Sequence, residues 1–113
     1  MRAPLVAVLL LTAVCHLPAA AEPVARISVL ASGSVLLDGT PTTLPALDER
    51  LRTLKAGGGV VWYHRENPAA EPPPQGSAVI KMIIEHQLPV SMSSRQDFSD
   101  WVDEKGVSRP RTK

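Results

Sequence analysis

Four short segments of the chain have patterns that are typical of strands. In each, apolar and polar residues alternate, or β-branched and aromatic residues are frequent. The segments are Val24 to Ala31, Val35 to Leu37, Val60 to Arg65 and Leu88 to Ser93. Between the first two lies Ser32-Gly33-Ser34, a tight turn, because glycine takes a positive φ at no steric cost. The first two strands therefore form a hairpin, which is predicted to end at Asp38-Gly39.

Two further segments space their apolar residues three and four positions apart, as in a helix that buries one face. The first helix is predicted to follow Thr43, a good N-cap, and to end at Gly57-Gly58-Gly59. Its apolar stripe is Leu44, Leu47, Leu51 and Leu54. The second helix is expected from Ser77 to Gln87, after an extended proline-rich connection. Its buried face is predicted to be Val79, Ile80, Ile83 and Ile84.

The order of these elements predicts an α/β fold of the α+β two-layer sandwich type, with the sequence β-β-α-β-α-β. Each helix joins two strands that should be parallel, and right-handed crossovers place both helices on one face. We expect a mixed four-stranded sheet of order 2-1-3-4, in which the second strand is antiparallel. One face of this sheet carries no helix.

The first 21 residues have the three regions of a secretory signal peptide. Arg2 gives a positive start, Leu5 to Val14 is apolar, and Ala19-Ala20-Ala21 offers small residues for cleavage. The apolar run is shorter than the roughly 20 residues that span a bilayer. We therefore expect a signal peptide over residues 1–21, a domain over 22–95 and an irregular tail over 96–113. The expected location is the periplasm or outside the cell.

The charge of the chain argues against a nucleic-acid partner. The sequence has 12 Lys and Arg against 11 Asp and Glu, and removal of Arg2 leaves 11 of each. No basic stripe with interleaved aromatic residues appears in the body of the chain. The four basic residues near the C-terminus are interpreted as a solvated end, and they are Lys105, Arg109, Arg111 and Lys113.

The sequence offers no constellation for catalysis, for a cofactor or for a metal. His64 and His86 fall on different elements, and no serine lies in a Gly-x-Ser-x-Gly turn. The acidic residues Asp97, Asp100, Asp103 and Glu104 lack the glycine and terminal glutamate of a calcium loop, so we interpret them as solvated. We expect a protein that is not an enzyme. The alternative is a small periplasmic hydrolase that uses paired carboxylates.

Two regions are candidates for interaction with a partner. Trp62 and Tyr63 are adjacent on a strand, so one should enter the core and the other should lie on the open face. The exposed one either contacts a sugar or partner chain, or is covered by the C-terminal segment through Phe98 or Trp101. The second region is an edge strand that could form a homodimer through main-chain hydrogen bonds, and it consists of Val90, Ser91, Met92 and Ser93.

The order and spacing of these elements resemble the periplasmic domain of the ExbD/TolR family of biopolymer-transport proteins. The resemblance rests on the hairpin Val29 to Gly39, the helix opening Thr43 to Leu47, the strand Val60 to Arg65 and the helix segment Val79 to Ile84. It implies an exported, non-catalytic binding or adaptor domain in envelope transport or envelope integrity. In that family the domain dimerises and contacts envelope proteins or peptidoglycan.

The chain departs from that family at its N-terminus. Family members keep a transmembrane helix with an aspartate for proton-driven work, whereas residues 1–21 contain no acidic residue. The proton chemistry therefore has no counterpart here. The alternative is a membrane-anchored ExbD-type transport subunit whose N-terminus is not cleaved.

We expect the exported protein to begin at Glu22, because signal peptidase needs the small residues that precede it. Mass spectrometry of the protein from the periplasmic fraction measures this directly. An intact Met1, or a lipid on Cys15, would contradict the prediction.

Overall fold

The computed structural model describes residues 23–111, so the predicted signal peptide lies outside the described residues. The described chain has two helices and seven strands. In chain order these are β1 Val24–Val29, β2 Val35–Leu37, β3 Thr40–Thr42, α1 Leu44–Ala56, β4 Val60–Arg65, α2 Pro74–Glu85, β5 Val90–Ser93, β6 Asp100–Val102 and β7 Ser108–Pro110. Within residues 23–111, neither helix has the length and apolar character needed to cross a bilayer.

The main sheet is mixed and has the strand order β3-β2-β1-β4-β5. β4 lies parallel between β1 and β5, and β2 is antiparallel to both β1 and β3. Both helices pack on one face, where their apolar residues meet those of β1 and β4. The predicted two-layer α+β fold with a mixed sheet and two helices is therefore confirmed.

The sheet has five strands, and the prediction of four was wrong. Asp38 and Gly39 both have positive φ angles, 52° and 86°, as the two central residues of a type I′ hairpin turn do. The chain therefore reverses after β2 and continues as β3 instead of leaving the sheet. As a result β3, rather than β2, is the edge opposite β5.

Helix α1 has the predicted cap and the predicted buried stripe. Thr43 accepts a hydrogen bond from the Ala46 N–H to its side-chain oxygen at 3.2 Å, which satisfies one of the free N–H groups of the first turn. Leu47, Leu51 and Leu54 are buried against the sheet. The helix ends just before Gly57, and Gly58 takes the left-handed conformation that follows many helix ends.

Helix α2 differs from the prediction at its start and on one face. It begins at Pro74, three residues before Ser77, because a first-turn residue needs no N–H for the helix. Ile84 was expected to be buried but is 68% exposed. The buried residues of the helix are Gly76, Val79 and Ile83. The helix face that they form points to the core, and Ile84 lies beside this face and points away from the core.

The C-terminal segment, which was expected to be irregular from residue 96, contains two strands within its described part, which ends at Arg111. β6 and β7 pair antiparallel in a separate two-stranded sheet. Its turn is fixed by the Asp103 side chain, which accepts hydrogen bonds from the N–H groups of Lys105 and Val107, both at 2.9 Å. Side-chain hydrogen bonds of this kind leave no hydrophobic period, so the pattern of the sequence did not indicate these strands.

We expect Leu51→Ala to lower the free energy of unfolding by about 2 to 4 kcal/mol, because Leu51 is fully buried beneath the sheet. Ile84→Ala is the matched control, and it should change stability by less than about 0.5 kcal/mol because Ile84 is exposed. Denaturant unfolding measures both. Equal costs for the two variants would contradict the assigned helix faces.

Candidate functional site

The sheet face opposite the helices, here called the open face, is mostly polar. β1 contributes Arg26 and Ser28, β4 contributes Trp62 and His64, and β5 contributes Ser91 and Ser93. These residues are register partners across the three strands, so they form adjacent rows on the same face. The alternate residues of β1 and β4, among them Ala25, Ile27, Val61 and Tyr63, belong to the apolar core below the helices.

The adjacent aromatic residues of β4 lie on opposite faces, as predicted. Tyr63 is 2% exposed and belongs to the core under the helices. Trp62 lies on the open face and is partly buried. Of the two aromatic candidates for partner contact, only Trp62 is therefore on the face that carries no helix.

The C-terminal hairpin (residues 96–111) covers the open face through Phe98. The Phe98 ring centroid lies 6.4 Å from that of Trp62 and 6.2 Å from that of His64, edge-on to the imidazole. Phe98 is buried and has a φ of 60°, a conformation that costs bulky residues about 1 to 3 kcal/mol. Packing under the hairpin compensates for this strain. Trp101, the other candidate cover, is 37% exposed.

His64 is buried in the same cluster. Its Nδ1 lies 3.1 Å from the Ser28 hydroxyl oxygen. Burial lowers the pKa of His64, and the nearby carboxylates of Glu66 and Asp100 offset this only in part. Its surroundings therefore favour the neutral form of the imidazole. Within residues 23–111, no group of three His, Cys, Asp or Glu side chains is placed to hold a metal ion.

Asp100 fastens the C-terminal hairpin to the end of β5. Its carboxylate accepts hydrogen bonds from the hydroxyls of Ser94, at 2.5 Å, and Ser108, at 2.6 Å, and from the N–H groups of Ser94 and Arg95. Burial raises the pKa of Asp100, but these hydrogen bonds outweigh it and lower the pKa to about 2. The interpretation of this acidic residue as solvated was wrong, since Asp100 is 2% exposed.

The basic C-terminal segment is likewise not a simple solvated end. Arg111 stacks its guanidinium over Trp62, with Cζ 3.9 Å from the ring centroid. The same guanidinium donates to the hydroxyl oxygens of Ser91 and Ser93. Arg109 pairs with Asp103 at 2.7 Å. Both arginines therefore hold the hairpin together or fix it to the sheet.

The β5 edge, defined by Val90 and Met92, is the outer margin of the main sheet. The Val61 N–H donates to the Pro89 carbonyl at 2.9 Å. In a parallel ladder the main-chain groups of alternate residues point the same way, so Ser91 bonds inward to β4 while Val90 and Met92 direct theirs outward. The side chains of Val90 and Met92 are 44% and 43% exposed.

Of the four residues predicted on this strand, only Val90 and Met92 are thus placed for edge pairing. The side chains of Ser91 and Ser93 are occupied by Arg111. In the described part of the chain, β6 belongs to a different sheet from β5, so the hairpin does not extend the main sheet. It covers the open face and packs beside β5, but it forms no main-chain hydrogen bond with Val90 or Met92.

Two open grooves flank Met92. The first, of about 330 Å³, lies towards α2 and is lined in part by Tyr63 and Ile80. The second, of about 360 Å³, lies towards the hairpin and is lined in part by Val102 and Gly106. A strand added at the β5 edge would direct alternate side chains towards these grooves.

Arg26 and Arg111 were not among the predicted site residues, and Phe98 was predicted only as a cover for the open face. Arg26 adjoins Ile27 in a strand of period two, so its place on the open face was readable from the sequence. Arg111 follows a segment without a period. Its contact with Trp62 depends on the C-terminal hairpin, and no periodic pattern in the sequence indicated that hairpin.

A scan against protein-family models finds no match to this chain, and a search of curated proteins also finds none.

We expect Asp100→Asn to lower the free energy of unfolding by about 1 to 3 kcal/mol, because it weakens several buried hydrogen bonds. Glu104→Gln is the control, since it removes a charge from an exposed side chain of the same hairpin. In the wild type, the Asp100 contribution of about 2 kcal/mol should be complete above pH 4 and disappear as the pH falls through about 2, because the folded-state pKa is lowered.

Denaturant unfolding between pH 2 and pH 7 measures both effects. A loss of stability in Asp100→Asn equal to that in Glu104→Gln would contradict the role of Asp100 as the fastening of the hairpin.

Proposed function

We propose that this chain is an exported, non-catalytic binding domain, of the type that the ExbD/TolR periplasmic domain represents, and that it associates with a second copy of itself through the β5 edge. The observation that carries the proposal is the state of this edge. It is the exposed margin of the sheet, it bears no charged residue from Val90 to Ser93, and its apolar side chains are exposed. Proteins usually protect such edges from pairing.

The opposite edge of the same sheet is protected. β3 consists of Thr40, Pro41 and Thr42, and Pro41 has no N–H to donate. Because the turn has two residues, Leu37 and Thr40 form a hydrogen-bonded pair of the hairpin. Antiparallel pairs alternate, so the next pair, Leu36 and Pro41, is not hydrogen-bonded, and the main chain of Pro41 points away from β2. The proline therefore removes the hydrogen-bond donor from the only position of β3 that points its main chain to the outside. The contrast between the two edges supports pairing at β5.

A second copy fits this edge because the edge is self-complementary. Two β5 strands related by a two-fold axis pair antiparallel, so that each Val90 to Ser93 segment faces its own equivalent. No like charges meet on these strands, since the segment is uncharged. The result is a continuous ten-stranded sheet with all four helices on one face.

Helix α2 adds apolar surface beside this edge. Ile80 lines the groove that it shares with Met92, and Ile84 lies one turn further along the helix and is largely exposed. Pairing of two β5 edges brings the α2 helices of the two copies towards each other. Burial of Ile84, Met92 and Val90 would then contribute hydrophobic stabilisation to the main-chain hydrogen bonds.

The expected role of such a dimer follows from the resemblance. An exported domain that pairs through its sheet edge can hold two chains together while the rest of its surface contacts an envelope protein or peptidoglycan. The buried state of His64 and Asp100 supports a role in binding over one in hydrolysis, because their polar atoms serve contacts within the protein.

We expect Met92→Lys to weaken self-association at least about tenfold, because a lysine on an edge strand opposes its own copy and hinders pairing. Met92 is preferable to Ser91 as a target, since the Ser91 hydroxyl accepts a hydrogen bond from Arg111 and its replacement would disturb the hairpin. Thr40→Lys adds the same charge at the opposite edge and should leave association unchanged. Analytical ultracentrifugation, with denaturant unfolding to verify the fold of each variant, measures these effects.

A wild-type protein that stays monomeric at millimolar concentration would contradict pairing between copies. Equal weakening by Met92→Lys and Thr40→Lys would contradict the choice of edge. A monomer that nevertheless binds an extended peptide, with loss of binding in Met92→Lys, would assign the β5 edge to a strand from another protein instead.

A further inference from the structure

The main-chain groups of β5 restrict how two copies of the chain can pair. Parallel pairing with β4 directs the N–H and C=O groups of Ser91 inward, so those of Val90 and Met92 point away from the sheet. By the same alternation, Leu88 and Ser94 are the next outward positions along the chain. An antiparallel ladder exchanges hydrogen bonds only between residues that both point at the partner strand. Each hydrogen-bonded pair between two β5 strands must therefore combine two residues of this outward set.

Leu88 and Ser94, at the two ends of the outward set, are already engaged within the chain. The Leu88 N–H donates to the Ile83 carbonyl at the end of helix α2, at 3.2 Å. The Ser94 N–H donates to the buried carboxylate of Asp100, at 3.0 Å. A second strand that used either donor would have to break one of these contacts. Val90 and Met92 are the outward positions that can pair without such a loss.

A two-fold axis allows three registers that use Val90 and Met92. In the first, the axis passes at Val90, so that Val90 meets its own copy and Met92 meets Leu88. In the second, the axis passes at Met92, so that Met92 meets its own copy and Val90 meets Ser94. In the third, the axis passes between the two copies of Ser91, and each Val90 meets Met92 of the other copy. Only the third register leaves the contacts of Leu88 and Ser94 intact.

The exposed side chains and the C-terminal hairpin favour the third register as well. Val90 and Met92 are register partners of core residues of β4, so they face the helix layer, and they are 44% and 43% exposed. In the third register they lie directly opposite each other and cover each other's apolar surface. The groove beside Ser94 is bounded by Val102 and Gly106 of the hairpin. The hairpin therefore stands next to the position that the second register would use.

We propose that two copies pair antiparallel through β5 with Ser91 at the two-fold axis, so that Val90 of each copy faces Met92 of the other. This pairing rests on the self-association proposed above and specifies its geometry. Each of the two Val90–Met92 pairs exchanges both of its main-chain hydrogen bonds. Ser91 faces its own copy on the open face, where its hydroxyl keeps the hydrogen bond from Arg111.

Disulfide trapping tests this register, because a disulfide requires Cα atoms about 4.4 to 6.8 Å apart. Val90→Cys and Met92→Cys are produced separately as exported proteins and oxidised with glutathione disulfide, each alone and as an equal mixture. In the proposed register the mixed pair lies directly opposite, whereas two cysteines at the same position are diagonal neighbours about 7 to 8 Å apart. We expect the cross-linked dimer to form at least about tenfold faster in the mixture than in either variant alone.

Controls separate the register from the self-association itself. Wild-type protein under the same oxidation controls for Cys15, and Thr40→Cys on the opposite edge measures cross-linking by random collision. Analytical ultracentrifugation of the wild type and of the reduced variants measures association, and denaturant unfolding verifies that each variant folds.

The outcomes distinguish the register from the proposed function. Faster cross-linking of Val90→Cys alone, or of Met92→Cys alone, would overturn the register and move the axis to that residue. Cross-linking no faster than that of Thr40→Cys in every sample, while the reduced variants still form dimers, would place the interface away from β5 and overturn the proposal. A wild type that stays monomeric would overturn the self-association on which the register rests.

Discussion

The fold depends on how the sheet face without helices is covered. A two-layer sandwich buries one face of its sheet and leaves the other to water, and here that other face carries Trp62 and the buried imidazole of His64. Asp100 fixes the segment that covers these two side chains. Its buried carboxylate, on β6, accepts hydrogen bonds from Ser108 of β7 and from Ser94 and Arg95, which follow β5. These bonds hold the hairpin where Phe98 packs beside Trp62 and His64.

The way the hairpin is fastened determines what remains available for binding. Because the hairpin lies across the open face and does not pair with β5, it forms no main-chain hydrogen bond with the outward groups of Val90 and Met92 within residues 23–111. It also carries Arg111 to a position above Trp62, a ring that Arg26 also approaches. One local arrangement of hydrogen bonds thus fixes the hairpin on the open face and leaves β5 as the last strand of the main sheet.

Hydrophobic periodicity predicted the parts of this fold that burial controls. The stripe Leu47, Leu51 and Leu54 and the strands around Val61 follow from apolar spacing alone, and with the handedness of crossovers they give the layered arrangement. The parts that periodicity missed are controlled by turn chemistry and polar contacts. Asp38-Gly39 is a strong hairpin signal, so β3 was accessible from the sequence.

The C-terminal hairpin was not accessible in the same way. Its strands have three residues each and are held by the carboxylates of Asp100 and Asp103, whose partners depend on the folded chain. A run of acidic and basic residues looks the same in a solvated tail and in a hydrogen-bonded hairpin. Ile84 illustrates a related limit, since its spacing suits the core and only the rotation of α2 exposes it.

The central claim is that the hairpin covers one face of the sheet while the β5 edge stays open for a second copy. Amide hydrogen exchange of β5, measured over a range of protein concentrations, tests it most directly. The account predicts slow exchange for Ser91 and Ser93 at every concentration, and exchange for Val90 and Met92 that is fast in dilute protein and slows as the concentration rises. Val90 and Met92 amides that are equally protected at all concentrations, or exposed at all of them, would contradict it.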